Sequence, residues 1–141
     1  MLIGEYCHNL DTKGRVSIPS KFRDDLGGTF VLSKGLDNCL YVYSVREWEK
    51  FETELLALKG PDALKVRRFF SSGAQECEID VQGRVVLPPM FRTYADLKKE
   101  VVIIGLSNRA EIWDKDRWNS YMTDSSFESE EIAKAMERLG I

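Results

Sequence analysis

The 141-residue chain carries 20 Lys and Arg against 23 Asp and Glu, a net charge of −3, so its total charge announces no polyanionic partner. Its hydrophobic content of 43% excludes a disordered chain and suffices for one ordinary domain or two very small ones. No run approaches the length of a membrane span, and the start, Met1 to Tyr6, lacks the basic flank and apolar run of a secretory signal, so a cytosolic chain is expected.

In chain order, Glu5 to Leu10 reads as a strand. It runs into Asp11-Thr-Lys13-Gly14, where Asp at the first position and Gly at the fourth suit a type I turn closing a bulged hairpin. Arg15-Val16-Ser17-Ile18 alternates as a short strand, and Pro19 ends it and opens a helix from the first helical position. Phe22 lies three residues past Pro19, about one helical turn on, and is expected to face inward. Gly27-Gly28 stops this helix. Thr29 to Ser33 and Leu40 to Tyr43 are β-branched and aromatic strands separated by a turn-rich Lys34 to Asn38. Ser44-x-x-Glu47 is a capping box, followed by a helix with Trp48, Phe51, Leu55 and Leu58 on one face. Lys59-Gly60-Pro61 breaks it, and Pro61 to Ser71 reads as a second helix carrying Leu64, Phe69 and Phe70, with Lys65, Arg67 and Arg68 forming a solvated face or, as the sharper alternative, a subunit contact.

The pattern then returns. Asp11, Gly14, Arg15, Val16, Pro19, Phe22 and Arg23 recur 69 residues later as Asp80, Gly83, Arg84, Val85, Pro88, Phe91 and Arg92. Ala74 to Ile79 is the strand before the second turn. Val101 to Ile104 and Ala110 to Trp113 match the two later strands, and Trp118 matches Trp48. A repeat of this reach fixes the architecture. A final amphipathic helix with Ile132, Ala133, Met136 and Leu139 starts near Ser126 or Ser129.

Charge is unevenly spread. Lys13, Arg15, Lys21 and Arg23 cluster in the first copy, and Arg84 and Arg92 recur in the second, where Gln82 and Met90 replace Lys13 and Lys21. Acids gather elsewhere, at Glu47, Glu49, Glu52 and Glu54 and from Asp124 to Glu131. An acidic chain can therefore present one basic face, which is what phosphate binding requires. Arg15, directly after the turn Gly, is expected at a projecting tip, although it and Arg84 could instead pair with Asp11 and Asp80. Asp11 and Asp80 read as turn-formers, and Gly14 and Gly83 as backbone devices. Phe22, Phe91, Trp48 and Trp118 read as core. No nucleophile, phosphate loop or catalytic frame is present, so neither an enzyme nor a cofactor is expected. Cys7, Cys39 and Cys77 fit reduced thiols. Together with His8 they could meet as a zinc site, but their spacing is not that of a finger. The apolar residues Phe69, Phe70, Ile132, Met136 and Leu139 exceed what two small barrels need and point to self-assembly.

The doubled Asp-x-x-x-Arg, at Asp11 to Arg15 and Asp80 to Arg84, each in hairpin–helix–hairpin context, resembles the MraZ family. That family belongs to the SpoVT/AbrB-like group of bacterial DNA-binding proteins, and the likeness covers nearly the full chain. It implies an α+β fold in which two swapped-hairpin units form one pseudo-two-fold β-barrel flanked by helices. The units would be residues 5–48 and 76–119, with connecting helices at 49–75 and a C-terminal helix at 120–141. The resemblance also implies a homo-oligomeric ring larger than a dimer and sequence-specific binding of double-stranded DNA at repeated promoter boxes. In that role the chain would be a nucleoid-associated regulator of its own cell-division and cell-wall gene cluster. The different class left open is a non-catalytic structural or interaction module that uses the barrel as an assembly scaffold.

Overall fold

The structure, a computed structural model, describes residues 1–141 as eight strands and six α-helices. The strands are β1 (Leu2–Asn9), β2 (Arg15–Ser17), β3 (Thr29–Lys34), β4 (Leu40–Ser44), β5 (Ala74–Glu78), β6 (Arg84–Val86), β7 (Glu100–Ser107) and β8 (Ala110–Asp114). The helices are α1 (Ser20–Leu26), α2 (Val45–Ala57), α3 (Ala63–Ser72), α4 (Pro89–Tyr94), α5 (Lys115–Met122) and α6 (Ser129–Leu139).

Six strands form one antiparallel sheet in the order β1-β7-β8-β4-β3-β5. The strand before each motif turn pairs across the chain, β1 with β7 and β5 with β3. The remaining two, β2 and β6, pair only with each other, with Val16 opposite Val85. The expected closed barrel therefore does not form: the sheet is open, with β1 and β5 as its edges. The physical reason lies at the prolines. Pro19 and Pro88 follow strands of only three residues, and a Pro has no N–H to extend a ladder. The ribbon closes over the main sheet by packing instead. Val16, Ile18, Val85 and Leu87 join Phe22, Phe91, Phe30, Leu32, Leu40, Val42, Val101, Ile103 and Ile112 in one buried cluster.

The opposite face of the sheet holds a second core. Side chains alternate across a strand, so Tyr41, Tyr43, Val102, Ile104 and Trp113 point away from the first cluster and meet Leu55, Phe70 and Trp118 from the helices. Val101 to Ile104 is buried on both faces, which explains its uninterrupted apolar run.

Local expectations were met with shifts. Ser44 Oγ accepts from the Glu47 amide at 3.2 Å and caps α2. Pro19 and Pro88 occupy the cap positions of α1 and α4 with extended ψ values of 132° and 150°, outside the helices rather than at their first turn. Neither Ser126 nor Ser129 caps α6; the cap residue is Glu128, and the nearby Asp124 carboxylate instead accepts from the Ser126 amide at 2.8 Å. Phe70 is buried, with Phe69 half-buried beside it, their rings 4.9 Å apart, so Phe70 serves the core while Phe69 keeps part of its surface outside. The face of Ile132, Met136 and Leu139 on α6 is exposed. No helix is long and apolar enough to cross a membrane.

Phe22 and Phe91 are both fully buried in the cluster that joins ribbon and sheet. Either one replaced by Ala should lower unfolding free energy by roughly 3–5 kcal/mol, the usual cost of such a cavity. Urea denaturation with the slope held common would read this directly, and a loss under 1 kcal/mol would mean that the ribbon does not seal the core.

Candidate nucleic-acid interface

Each motif turn is built by one carboxylate. Asp11 Oδ1 accepts from the Lys13 amide at 2.9 Å and the Arg15 amide at 2.8 Å, while Oδ2 accepts from Arg15 Nε at 2.7 Å. Asp80 does the same with the Gln82 and Arg84 amides, both at 2.9 Å, and with Arg84 Nε at 3.2 Å. Aspartate suits this place because its short side chain reaches its own backbone two residues on. Gly14 and Gly83 complete the turns at φ of +77° and +79°, a region costly for any residue with a Cβ.

Arg15 and Arg84 are thus tied back to their own turns and do not project from a tip. The tie uses Nε only, so the two terminal nitrogens of each guanidinium keep their donors free of protein acceptors. The tips belong to exposed Thr12 and Lys13 in one turn and to Val81 and Gln82 in the other.

Arg23 and Arg92 have a different task. Arg23 Nε donates to the Ile18 carbonyl and Arg92 Nε to the Leu87 carbonyl, each at 3.0 Å. Their guanidinium ends then cross to the other motif: Arg23 lies against Gly83, and Arg92 against Gly14, where an added Cβ would sit 3.0 Å from Arg92 Cζ. Backbone bonds make the same exchange, Ile18 N–H to the Gly83 carbonyl at 2.9 Å and Leu87 N–H to the Gly14 carbonyl at 2.8 Å. The sequence holds a signal for these braces, an Arg four residues past each Pro, but nothing in it says which turn they touch.

The register places Arg15 opposite Val86 and Ser17 opposite Arg84, all on the outer face of the ribbon, while Val16 and Val85 point inward. So Arg15, Arg84, Arg23 and Arg92 are gathered around two adjoining turns, with Lys13 exposed at one tip. Lys21 is exposed on α1 and touches neither turn glycine. His8, on β1, has its pKa lowered by burial and then by the charge of Arg23, so it adds no positive charge near neutrality. The three thiols do not converge on His8. Cys39 lies in the second core and Cys77 in the first, burial pushing both thiols up, while Cys7 is exposed. No group of three or more His, Cys, Asp or Glu side chains is placed to hold a metal ion.

The family model described as "MraZ protein, putative antitoxin-like" matches residues 1–68 and 70–139. The chain belongs to the MraZ family. Relatives named Transcriptional regulator MraZ match it over the full length of both chains: 53% identity to that of Alkaliphilus metalliredigens, 54% to that of Caldicellulosiruptor saccharolyticus and 53% to that of Halothermothrix orenii.

Two predictions follow from the turn geometry of this MraZ-family chain. Ala at Gly14 or Gly83 should destabilise it by roughly 1 kcal/mol or more through positive φ alone. At Gly83 the new methyl also meets the Arg23 guanidinium. Gly83→Ala and Arg23→Ala should therefore be non-additive in thermal melts, whereas Gly83→Ala and Arg15→Ala should be closer to additive. Additivity in the first pair would show that Arg23 does not brace the opposite turn.

The second concerns pH. The Arg15 amide first, then the Arg15 guanidinium and the Lys13 amide, hold the Asp11 carboxyl down at about 2 against 3.8 when unperturbed. A depressed folded-state value means that the turn's contribution to stability is complete above about pH 4 and is lost as pH falls toward 2. A carboxyl NMR titration should find the Asp11 midpoint near 2, and Arg15→Ala should raise it only part of the way, because both amides remain. A midpoint near 4 in the unaltered chain would mean that the clamp is open in solution.

Proposed function

We propose that this chain is a transcriptional regulator that binds double-stranded DNA sequence-specifically through the outer face of the β2–β6 ribbon and its two turns. The observation that carries the reading is the pair Arg15 and Arg84 on one face of one ribbon, each held by Nε with its fork of terminal donors free. A two-stranded ribbon fits the major groove, and a guanidinium fork matches O6 and N7 of guanine or a phosphate. Lys13 at the exposed tip and Lys21 on α1 add phosphate contacts, with Arg23 and Arg92 holding the turns and lending charge. The relatives' name, Transcriptional regulator MraZ, supports the regulatory role. No catalysis and no cofactor enter this account.

In the same reading, residues 5–48 and 76–119 are two swapped-hairpin units related by a pseudo-two-fold axis, joined by 49–75 and followed by 120–141. The reciprocal pairings β1–β7 and β3–β5 support it. The exposed α6 face supports a homo-oligomer larger than a dimer, closed as a ring. One such unit offers few cations, so binding draws its strength from several ribbons engaging repeated boxes one helical turn apart. Linked sites gain roughly 10²–10⁴ over one site when the geometry permits. The chain then acts in the cytoplasm at the nucleoid, on the promoter of its own cell-division and cell-wall gene cluster.

The test is a gel shift with the DNA upstream of the chain's own gene. Arg15→Ala should abolish or severely weaken binding, each lost base contact being worth about 1–3 kcal/mol, with fold and assembly kept and only a small fall in melting temperature from the lost tie to Asp11. Arg84→Ala should weaken it less, because Gln82 and Met90 bring no charge to that half. Lys13→Ala should lower affinity for all sequences and flatten the salt dependence. Cutting the fragment to one box should cost most of the affinity. An Arg15→Ala variant that melts lower but binds as before would leave Arg15 only as a brace for Asp11, and light scattering that reports a monomer at micromolar concentration would remove the ring.

A further inference from the structure

The two halves of the ribbon share one backbone plan and differ in surface chemistry. The exposed positions of the first are Thr12, Lys13 and Lys21, with Ser17 half-exposed on the ribbon. At the matching places the second has Val81, Gln82, Val86 and Met90, all exposed. Val86 is 54% exposed although it lies in a strand, directly opposite Arg15, and its inward neighbours Val85 and Leu87 are buried. The core therefore makes no demand on Val86. An apolar side chain on the same outer face as two free guanidinium forks, at a place where the other half carries a hydroxyl, is open to an apolar group of whatever the ribbon binds.

The proposed DNA contact provides one. In the major groove guanine offers two acceptors to an arginine fork, and thymine offers a C5 methyl group to an apolar side chain. We propose that Val86 is a specificity-determining residue that packs against a thymine methyl beside the base contacted by Arg15. The ribbon would then read an asymmetric step, with the Ser17 side turned to polar base edges and the Val86 side to the methyl. This rests on the DNA-binding reading above, and it assigns the polarity of the site. A pseudo-symmetric backbone with asymmetric side chains can lie on the duplex in only one favoured direction.

The experiment replaces each thymine of the upstream fragment in turn by deoxyuridine, which removes the methyl and keeps every hydrogen bond. Affinities are measured for the unaltered chain and for Val86→Ser and Val86→Thr. One position should cost the unaltered chain about fourfold, the worth of one buried methyl group. Val86→Ser should bind DNA but ignore that substitution, and Val86→Thr, which keeps a methyl, should stay sensitive to it. Specific binding with no sensitive thymine, or equal sensitivity in Val86→Ser, overturns the assignment while leaving the DNA-binding reading intact. No specific binding by the unaltered chain overturns both.

Discussion

The structure depends on an exchange at two glycines. The carbonyl of each turn glycine receives an amide from the end of the other motif's strand, and the other motif's second arginine lies across it. Strands of three residues are too short to persist alone. They persist here because each is stitched to the opposite turn at the point where the missing Cβ leaves room. Each turn is closed by its own aspartate, but its glycine carbonyl is satisfied by the distant motif, so the ribbon forms only when both halves meet. The contacts concerned join residues about 69 apart in sequence, which makes the ribbon an entropically late element of folding.

Once formed, the ribbon sits over the main sheet and sorts its side chains. On the ribbon side, Leu40, Val42, Ile103 and Ile112 meet Val16 and Val85. On the other side, α2, α3 and α5 cover an aromatic layer in which Tyr43, Phe51 and Phe70 stack or meet edge-on. Glu111 in that layer and Asp114 on the ribbon-side face of β8 are buried with partners, whereas Arg117 Nε on α5 is buried without one. Buried Glu111 accepts from Trp113 Nε1 at 3.0 Å and from Arg109, whose guanidinium lies 3.9 Å from the Tyr41 ring centre. Buried Asp114 accepts from the Lys98 and Arg117 amides and from Lys98 Nζ. The sheet is thus packed on both faces, and the ribbon is positioned on it by the inward side chains Val16, Ile18, Val85 and Leu87.

What the sequence made legible was local. Asp-x-x-Gly forced both turns, but the bulged hairpins expected there do not form, because β1 pairs with β7, β5 with β3 and β2 with β6. The prolines stopped both short strands, and the periodic Phe and Trp residues marked the cores while Leu58 and Leu64 stay exposed. The Asp11–Arg15 pair was an open alternative, because the same two side chains could face each other or solvent, and only the carboxylate's geometry fixes one nitrogen as the donor. The crossing of Arg23 and Arg92 was illegible, since a helix position says nothing of which remote turn it meets. The open sheet was missed for a related reason: pairing is a property of two strands, and Arg15 to Ile18 alone does not reveal that its only partner is β6. The α6 cap was missed because nearby Ser and Asp residues offer several equivalent acceptors, and the chain used Asp124 one turn earlier to shape the loop.

The Asp–Arg ties bear on how a chain of net charge −3 would offer the proposed nucleic-acid surface. Residues 11–23 carry four cations against one acid, and residues 80–92 two against one. Each turn aspartate offsets part of the local charge, which weakens non-specific attraction to any polyanion. In return it fixes the arginine at Nε and leaves a fork that loses less freedom when it binds. Long-range attraction is thereby exchanged for orientation. If the proposed DNA contact holds, a surface made this way would gain little from one engagement and discriminate by fit more than by charge.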